Sequence, residues 1–248
     1  MKKQKALSLA INTVLAGSLL MGATAAMAYE PGDFIVRAGA ANVDPNDDSD
    51  ALKLDGATLP GTEVEVDDDT QLGITFTYML TDHLGLGLLA ATPFEHDIKA
   101  DLTGIGAGKV DAGSTKHLPP TLTLQYFPMA SDSKFQPYIG AGINYTNFFD
   151  EEVDSELETL LGHGSMELDA SWGLAFQAGM DYMINEHWLI NASVWYLDID
   201  TDAKIDTAAG VVKTEVDIDP WVYMIGVGYK FYVSLVDKKS RADARLFC

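Results

Sequence analysis

In residues 221–231, WVYMIGVGYKF, an apolar side chain falls on every alternate position. Trp221, Tyr223, Ile225, Val227, Tyr229 and Phe231 make an apolar face with aromatic ends; Gly226, Gly228 and Lys230 lie between them. Period-two alternation of this kind marks a β-strand with two unlike faces. Its length matches the roughly 9–11 residues that a tilted strand needs to cross a bilayer.

Working outward, the same period recurs in seven earlier segments: 33–43, 70–80, 84–94, 117–127, 135–146, 171–183 and 187–199. Together with 219–231 they make eight. The connections alternate in size. Residues 81–83, 128–134 and 185–186 are short or moderate, whereas 44–69, 95–116, 147–170 and 200–218 are long. Short turns on one side and long loops on the other are the layout of an outer-membrane barrel. The expected fold is all-β: an eight-stranded antiparallel transmembrane barrel with short periplasmic turns and long extracellular loops. An even strand number puts both barrel ends on the periplasmic side, and Phe231 is where the last strand closes on the first.

The alternation assigns the faces. Sets such as Leu72/Ile74/Phe76/Tyr78 and Trp172/Leu174/Phe176 oppose sets such as Gly73/Thr75/Thr77 and Gly173/Ala175/Gln177. The apolar set is the larger and more aromatic one, so it faces lipid. A soluble periplasmic β-sandwich is the competing fold.

The ends agree with export. Lys2, Lys3 and Lys5 precede an apolar run over 6–20, and Ala26-Met27-Ala28 offers a small-residue cleavage site. A signal peptide over 1–28 is expected, with an uncleaved anchor as the alternative. The barrel domain is expected over 29–231. The tail at 232–248 carries Lys238, Lys239, Arg241 and Arg245, a basic shift that suggests an appended or read-through segment. The chain has 16 Lys and Arg against 37 Asp and Glu, a formal charge of −21, which excludes nucleic-acid binding through phosphate neutralisation. Its one cysteine, Cys248, excludes a disulfide framework.

With these segments placed, several stretches resemble the OmpW family of small outer-membrane barrels. They are QLGITFTYMLTD (71–82), LLAATPFEHDI (88–98), HLPPT (117–121), KFQPYIGAGINYTNFFD (134–150), SWGLAFQAGMDYMIN (171–185), WLINASVWYLDIDT (188–201) and DPWVYMIGVGYKF (219–231). The resemblance covers about 29–231. It implies a mainly hydrophobic channel that helps small hydrophobic molecules across the outer membrane of a Gram-negative bacterium. The long acidic first loop and the tail lie outside the shared pattern. The aromatic ending at Phe231 resembles the terminal signal read by the barrel assembly machinery.

Strand direction then distributes the interior. Arg37, Gln125, Asp181 and Lys230 are expected near the periplasmic end as a charged, hydrogen-bonded floor, because buried charges need partners. Leu89, Trp195, Leu197, Val222 and Met224 are expected higher, lining an apolar path or filling a structural core. Pro93 near the outer end of the third segment and Pro119-Pro120 near the outer start of the fourth cannot donate to a ladder. Their matching heights suggest a lateral door for a greasy solute, with His117 beside it; the alternative is that they only end two strands.

Other motifs are weaker. Asp44, Asn46, Asp48 and Asp50 alternate as in a calcium loop, but Ser49 replaces the turn glycine and Asp55 the bidentate glutamate. A solvated acidic face bridged by divalent ions to lipopolysaccharide suits them better. Val153, Leu157, Leu160 and Leu161 are spaced for a short helix over the mouth. His83 and His187 fall at turns, His96 and His163 in outer loops, and Ser193 a level below His117, so no catalytic triad assembles. No enzyme activity, metal or cofactor is expected. The expected partners are outer-membrane lipid, lipopolysaccharide, a small hydrophobic solute and the assembly machinery. A structural barrel or a docking receptor for phage or bacteriocin is the alternative function.

Overall fold

The computed structural model describes residues 29–232. The expected signal segment at 1–28 and the tail from 233 onward lie outside the described residues.

Eight antiparallel strands close into a barrel: β1 (Asp33–Asp44), β2 (Asp69–Met79), β3 (Leu84–Ala91), β4 (Thr121–Tyr126), β5 (Phe135–Val153), β6 (Ser171–Met183), β7 (Trp188–Leu197) and β8 (Trp221–Tyr232). Strand β8 returns to β1 in unbroken register, from Asp33 opposite Tyr232 to Asp44 opposite Trp221. Phe231 sits opposite Phe34, so the barrel closes where the terminal alternation placed the closure. Gly39 and Gly226 face each other across this seam. A Cβ on Gly226 would stand 2.3 Å from the Ala38 carbonyl oxygen, and one on Gly39 would stand 2.1 Å from that of Ile225. Only glycine lets the two strands approach so closely.

The faces fall as the alternation assigned them. Trp172, Leu174, Phe176, Ile225 and Val227 are exposed on the outside, whereas Ala175, Gln177, Val222 and Met224 are buried within. An apolar belt of this extent belongs in lipid. Aromatic pairs rim it. Tyr145 packs on Trp172 at 4.7 Å and Tyr196 on Trp221 at 5.4 Å at the outer edge. Trp188 and Tyr229 meet at 5.0 Å at the periplasmic edge. No helix among the described residues is long and apolar enough to cross a membrane; the strands do the crossing.

Two expectations need correction. The third and fourth segments do not run unbroken through 84–94 and 117–127. Strand β3 stops at Ala91, and the chain resumes pairing at Phe94. A strand over Gly108–Leu118 stops before Pro119, and β4 begins at Thr121. Both stops are where proline removes a donor.

The long extracellular connections are themselves ordered. Phe94–Leu102 and Gly108–Leu118 form a hairpin that pairs with Glu63–Val66 on one side and with the upper part of β5 on the other. Gly164–Leu168, Asp200–Thr207, Gly210–Asp217, Lys53–Leu54 and Ala57–Thr58 form a second sheet. Helix α1 (Ser155–Leu161) covers the hairpin and carries Leu157, Leu160 and Leu161, while Val153 stays at the end of β5. Asp154 caps it by accepting from the Glu156 N–H at 2.8 Å. These elements build a walled vestibule above the outer aromatic rim.

Candidate functional site

The barrel interior is layered. At the periplasmic end Tyr29, Ile35, Met79, Phe127, Tyr138, Met183 and Leu189 pack into a plug, each at most 2% exposed. Tyr29 stands edge-on to Phe127 at 5.2 Å, and its hydroxyl donates to Asp181.

The charged floor lies against this plug. The Arg37 guanidinium donates through Nε to Asp181 Oδ1 at 2.9 Å and through its second fork to Oδ2. It also donates to Thr77 at 2.8 Å, and Thr77 donates to Gln125 Oε1 at 3.0 Å. Gln125 donates on to Gln177 at 2.9 Å, and Asn191 donates to Asp181 at 2.8 Å. Three of the four expected floor residues thus share one network. Lys230 pairs with Asp33 at 3.6 Å. A buried bidentate pair with its remaining positions satisfied fits the rule for ions taken out of water.

Above the network, Leu89, Trp195, Leu197, Val222 and Met224 meet as one apolar cluster, joined by Ala41, Val43, Phe94, Phe148, Ala175 and Ile199. All five expected residues are brought together. They pack against one another, with Trp195 at 1% exposure.

The wall beside this cluster is broken. The last rung between β3 and β4 joins Leu89 to Thr121, and the next rung above joins Phe94 to His117. Between these rungs, 90–93 and 118–120 do not pair with each other. Each is still held on its other side: Thr92 N–H donates to the Leu72 carbonyl at 3.0 Å, and Tyr145 N–H donates to the Pro120 carbonyl at 3.1 Å. The break therefore lies at the height of the outer aromatic rim. Pro93 and Pro120 are exposed on the outside, while Pro119 is buried. Behind them Ala41, Leu89, Ala90, Ala91, Phe94, Pro119 and Val222 line a pocket of about 10 Å³, which is too small for a solute.

Over the cluster, the extracellular sheets enclose an apolar cavity of about 120 Å³. Leu52, Ala100, Leu102, Ala112, Leu157 and Val212 form its packed walls. Its edge nearest the wall break is aromatic. Phe94 stacks on His117 at 5.5 Å, and His117 stacks on His96 at 4.9 Å with 12° between the rings. Desolvation holds both imidazoles neutral, pushing His117 down to about 3, with His96 adding to the fall, and lowering His96 as well.

His117 stands at the rung above the wall break, opposite Phe94, whereas His96 was expected in a loop. His96 is 3% exposed on a strand, facing its stacking partner. Phe94, Phe148, Tyr29 and Asn191 were also missed. Alternation across Phe94–His96–Ile98 was the available signal for the first, hidden by the charges at Glu95, Asp97 and Lys99. The acidic stretch at 44–55 spends its carboxylates locally: Asp47 accepts from the Val66 N–H, and Asp50 pairs with Lys53. Among the described residues, the acidic group compact enough for a cation is Asp198, Asp200 and Asp219 instead.

The family model of the OmpW family matches residues 30–231. Outer membrane protein W of Vibrio cholerae is 48% identical over 204 residues, covering 82% of this chain and 91% of that protein. Outer membrane protein W of Escherichia coli is 44% identical over 232 residues, covering 93% of this chain and all of that one. The crystal structure of OprG from Pseudomonas aeruginosa superposes with a TM-score of 0.79 at 51% identity, over 84% of this chain and 99% of that one. With a closed eight-stranded barrel, a lipid-facing apolar belt and relatives that match over most of their length, this chain belongs to the OmpW family and is an outer-membrane protein of Gram-negative bacteria.

Proposed function

We propose that this barrel passes small apolar or amphipathic molecules from the outside into the outer membrane, by way of the extracellular cavity and the wall break between β3 and β4. The observation that supports it most is the interrupted ladder at the outer rim, with an apolar cluster directly behind it. A straight route to the periplasm would have to pass the Arg37–Asp181 network and the aromatic plug, both desolvated and packed. Lateral exit needs neither to open. The solute leaves into lipid at a height where water can satisfy the freed backbone groups, so the gap escapes the penalty that an open ladder has in hydrocarbon. An apolar cargo also suits a more distant relative, 28% identical over 204 residues, whose name places it in an operon of dibenzothiophene metabolism.

Leu89 lines the small pocket behind the gap, and Trp195 packs in the same apolar cluster. Uptake of a radiolabelled apolar probe by cells carrying the wild type, Leu89→Asn or Trp195→Ala tests the route. Severalfold slower uptake in both variants, with normal heat-dependent gel mobility of the barrel, is expected. Unchanged uptake in both contradicts it.

A further inference from the structure

We propose that a recess at the periplasmic rim binds the headgroup of a phospholipid that carries both a phosphate and a primary ammonium, a phosphatidylethanolamine, with Lys134 on the phosphate and Glu186 on the ammonium. This site is separate from the solute route and does not depend on it.

The fold places the recess against lipid. Lys134 immediately precedes β5, residues 184–187 turn β6 into β7, and Trp188 of β7 pairs with Tyr229 of β8. Lys134, Ile184, Glu186, His187, Trp188 and Tyr229 line one open recess of about 420 Å³, where about 10–15 Å³ already holds a water. Ile184 and Trp188 are large, exposed apolar side chains at the periplasmic end of the belt. The recess therefore borders the acyl region on one side and water on the other.

Its wall suits that depth. Trp188 meets Tyr229 edge-on at 5.0 Å, and His187 lies on Tyr229 at 5.3 Å. Rings with an apolar body and a polar tip settle at headgroup level. Asn185 Oδ1 accepts from the His187 and Trp188 N–H groups at 2.9 and 2.8 Å, which fixes the turn that carries Glu186.

Charge sets the class of lipid. At this end of the barrel Arg37 is taken by Asp181 and Lys230 by Asp33. Among the described residues, neither the Lys134 ammonium nor the Glu186 carboxylate has a hydrogen bond or ion pair, although both line the same recess. A ligand with an anion and a cation a few bonds apart answers both. A lipid with a phosphate alone leaves Glu186 facing a like charge. A quaternary ammonium has no N–H to give the carboxylate, whereas a primary one makes the stronger, charge-assisted bond.

Native mass spectrometry of the full chain tests this, with the protein released from detergent that holds equal amounts of dioleoyl phosphatidylethanolamine, phosphatidylglycerol and phosphatidylcholine. One retained phosphatidylethanolamine is expected, favoured by about threefold or more over either rival, the scale of one partly exposed ion pair. Lys134→Gln is expected to lose that lipid, and Glu186→Gln to lose its preference over phosphatidylglycerol. Both changes lie outside the strand ladders, so heat-dependent gel mobility and uptake of apolar probes should stay as in the wild type. Equal retention of all three lipids overturns the site, because it shows only the lipid that coats any barrel. A preference that survives both variants overturns the roles of Lys134 and Glu186, and retention of no lipid overturns the proposal outright. None of these results bears on the solute route, which the uptake measurement judges by itself.

Discussion

Arg37 and Asp181 hold the floor of the barrel through a bidentate pair with both side chains at most 1% exposed. Replacing Arg37 by Met leaves Asp181 buried without its cation, which is expected to destabilise the barrel by about 3–5 kcal/mol. Urea unfolding in lipid vesicles, followed by gel mobility, checks this. Arg37→Met combined with Asp181→Leu should recover most of the loss, because removing both charges also removes their desolvation cost. A loss below about 1 kcal/mol in the single variant contradicts the account of the floor. His117 gives a second test. Unfolded, its imidazole takes a proton near 6.5; folded, it does so only at about 3. Acidification through that window therefore favours the unfolded form of the outer hairpin, and stability rises with pH across it. The ring C–H resonances of His117 should not titrate between pH 8 and pH 4, and a midpoint near 6.5 contradicts its burial. The floor was legible because charges on a small, polar strand face have to find one another inside a barrel. His96 was not: its neighbours Glu95 and Asp97 are charged, and only its pairing with Thr115 turns it inward.

At the scale of elements, Pro119 and Pro120 stand in the unpaired stretch before β4, where a proline withholds its N–H from the ladder. Pro119→Ala restores a donor on the β3 side, whereas Pro120 turns its carbonyl, and so its nitrogen, toward β5, so the single variant lets the ladder close between Leu89–Thr121 and Phe94–His117. Hydrogen exchange should then show new protection at 119 and across from it in 90–92, together with slower uptake of apolar probes. Unprotected amides there would mean that something other than proline keeps the strands apart. The seam between β1 and β8 offers the opposite test. A Gly226→Val side chain meets the Ala38 backbone, and the unboiled protein is expected to lose its fast-migrating band. All eight membrane strands were legible from alternation, since each shows lipid a long apolar face. The outer strands were not. Asp200–Thr207 and Gly210–Asp217 turn Thr201, Thr214 and Val216 inward but carry Asp202, Lys204, Glu215 and Asp217 on the other face, toward water. A criterion built on membrane-length apolar faces passes over them.

At the scale of the whole molecule, the barrel reads as a sealed base with a cavity on top and a weak point in the wall between them. The sealed base follows from the small diameter of eight strands, and the weak point coincides with prolines at both ends of the unpaired stretch, Pro119-Pro120 just above the Leu89–Thr121 rung and Pro93 just below the Phe94–His117 rung. Lateral exit is thus the central claim, and a reversible staple across the break tests it most directly. Continued in register from Leu89–Thr121, Ala91 falls opposite Pro119, and both line the small pocket. A disulfide between Ala91→Cys and Pro119→Cys, in a chain with Cys248→Ser, holds the two Cα atoms within about 4.4–6.8 Å, so the gap cannot widen. Uptake of an apolar probe should stop when the pair is oxidised and return when it is reduced. Unchanged uptake with the disulfide fully formed would show that solutes do not leave through this wall.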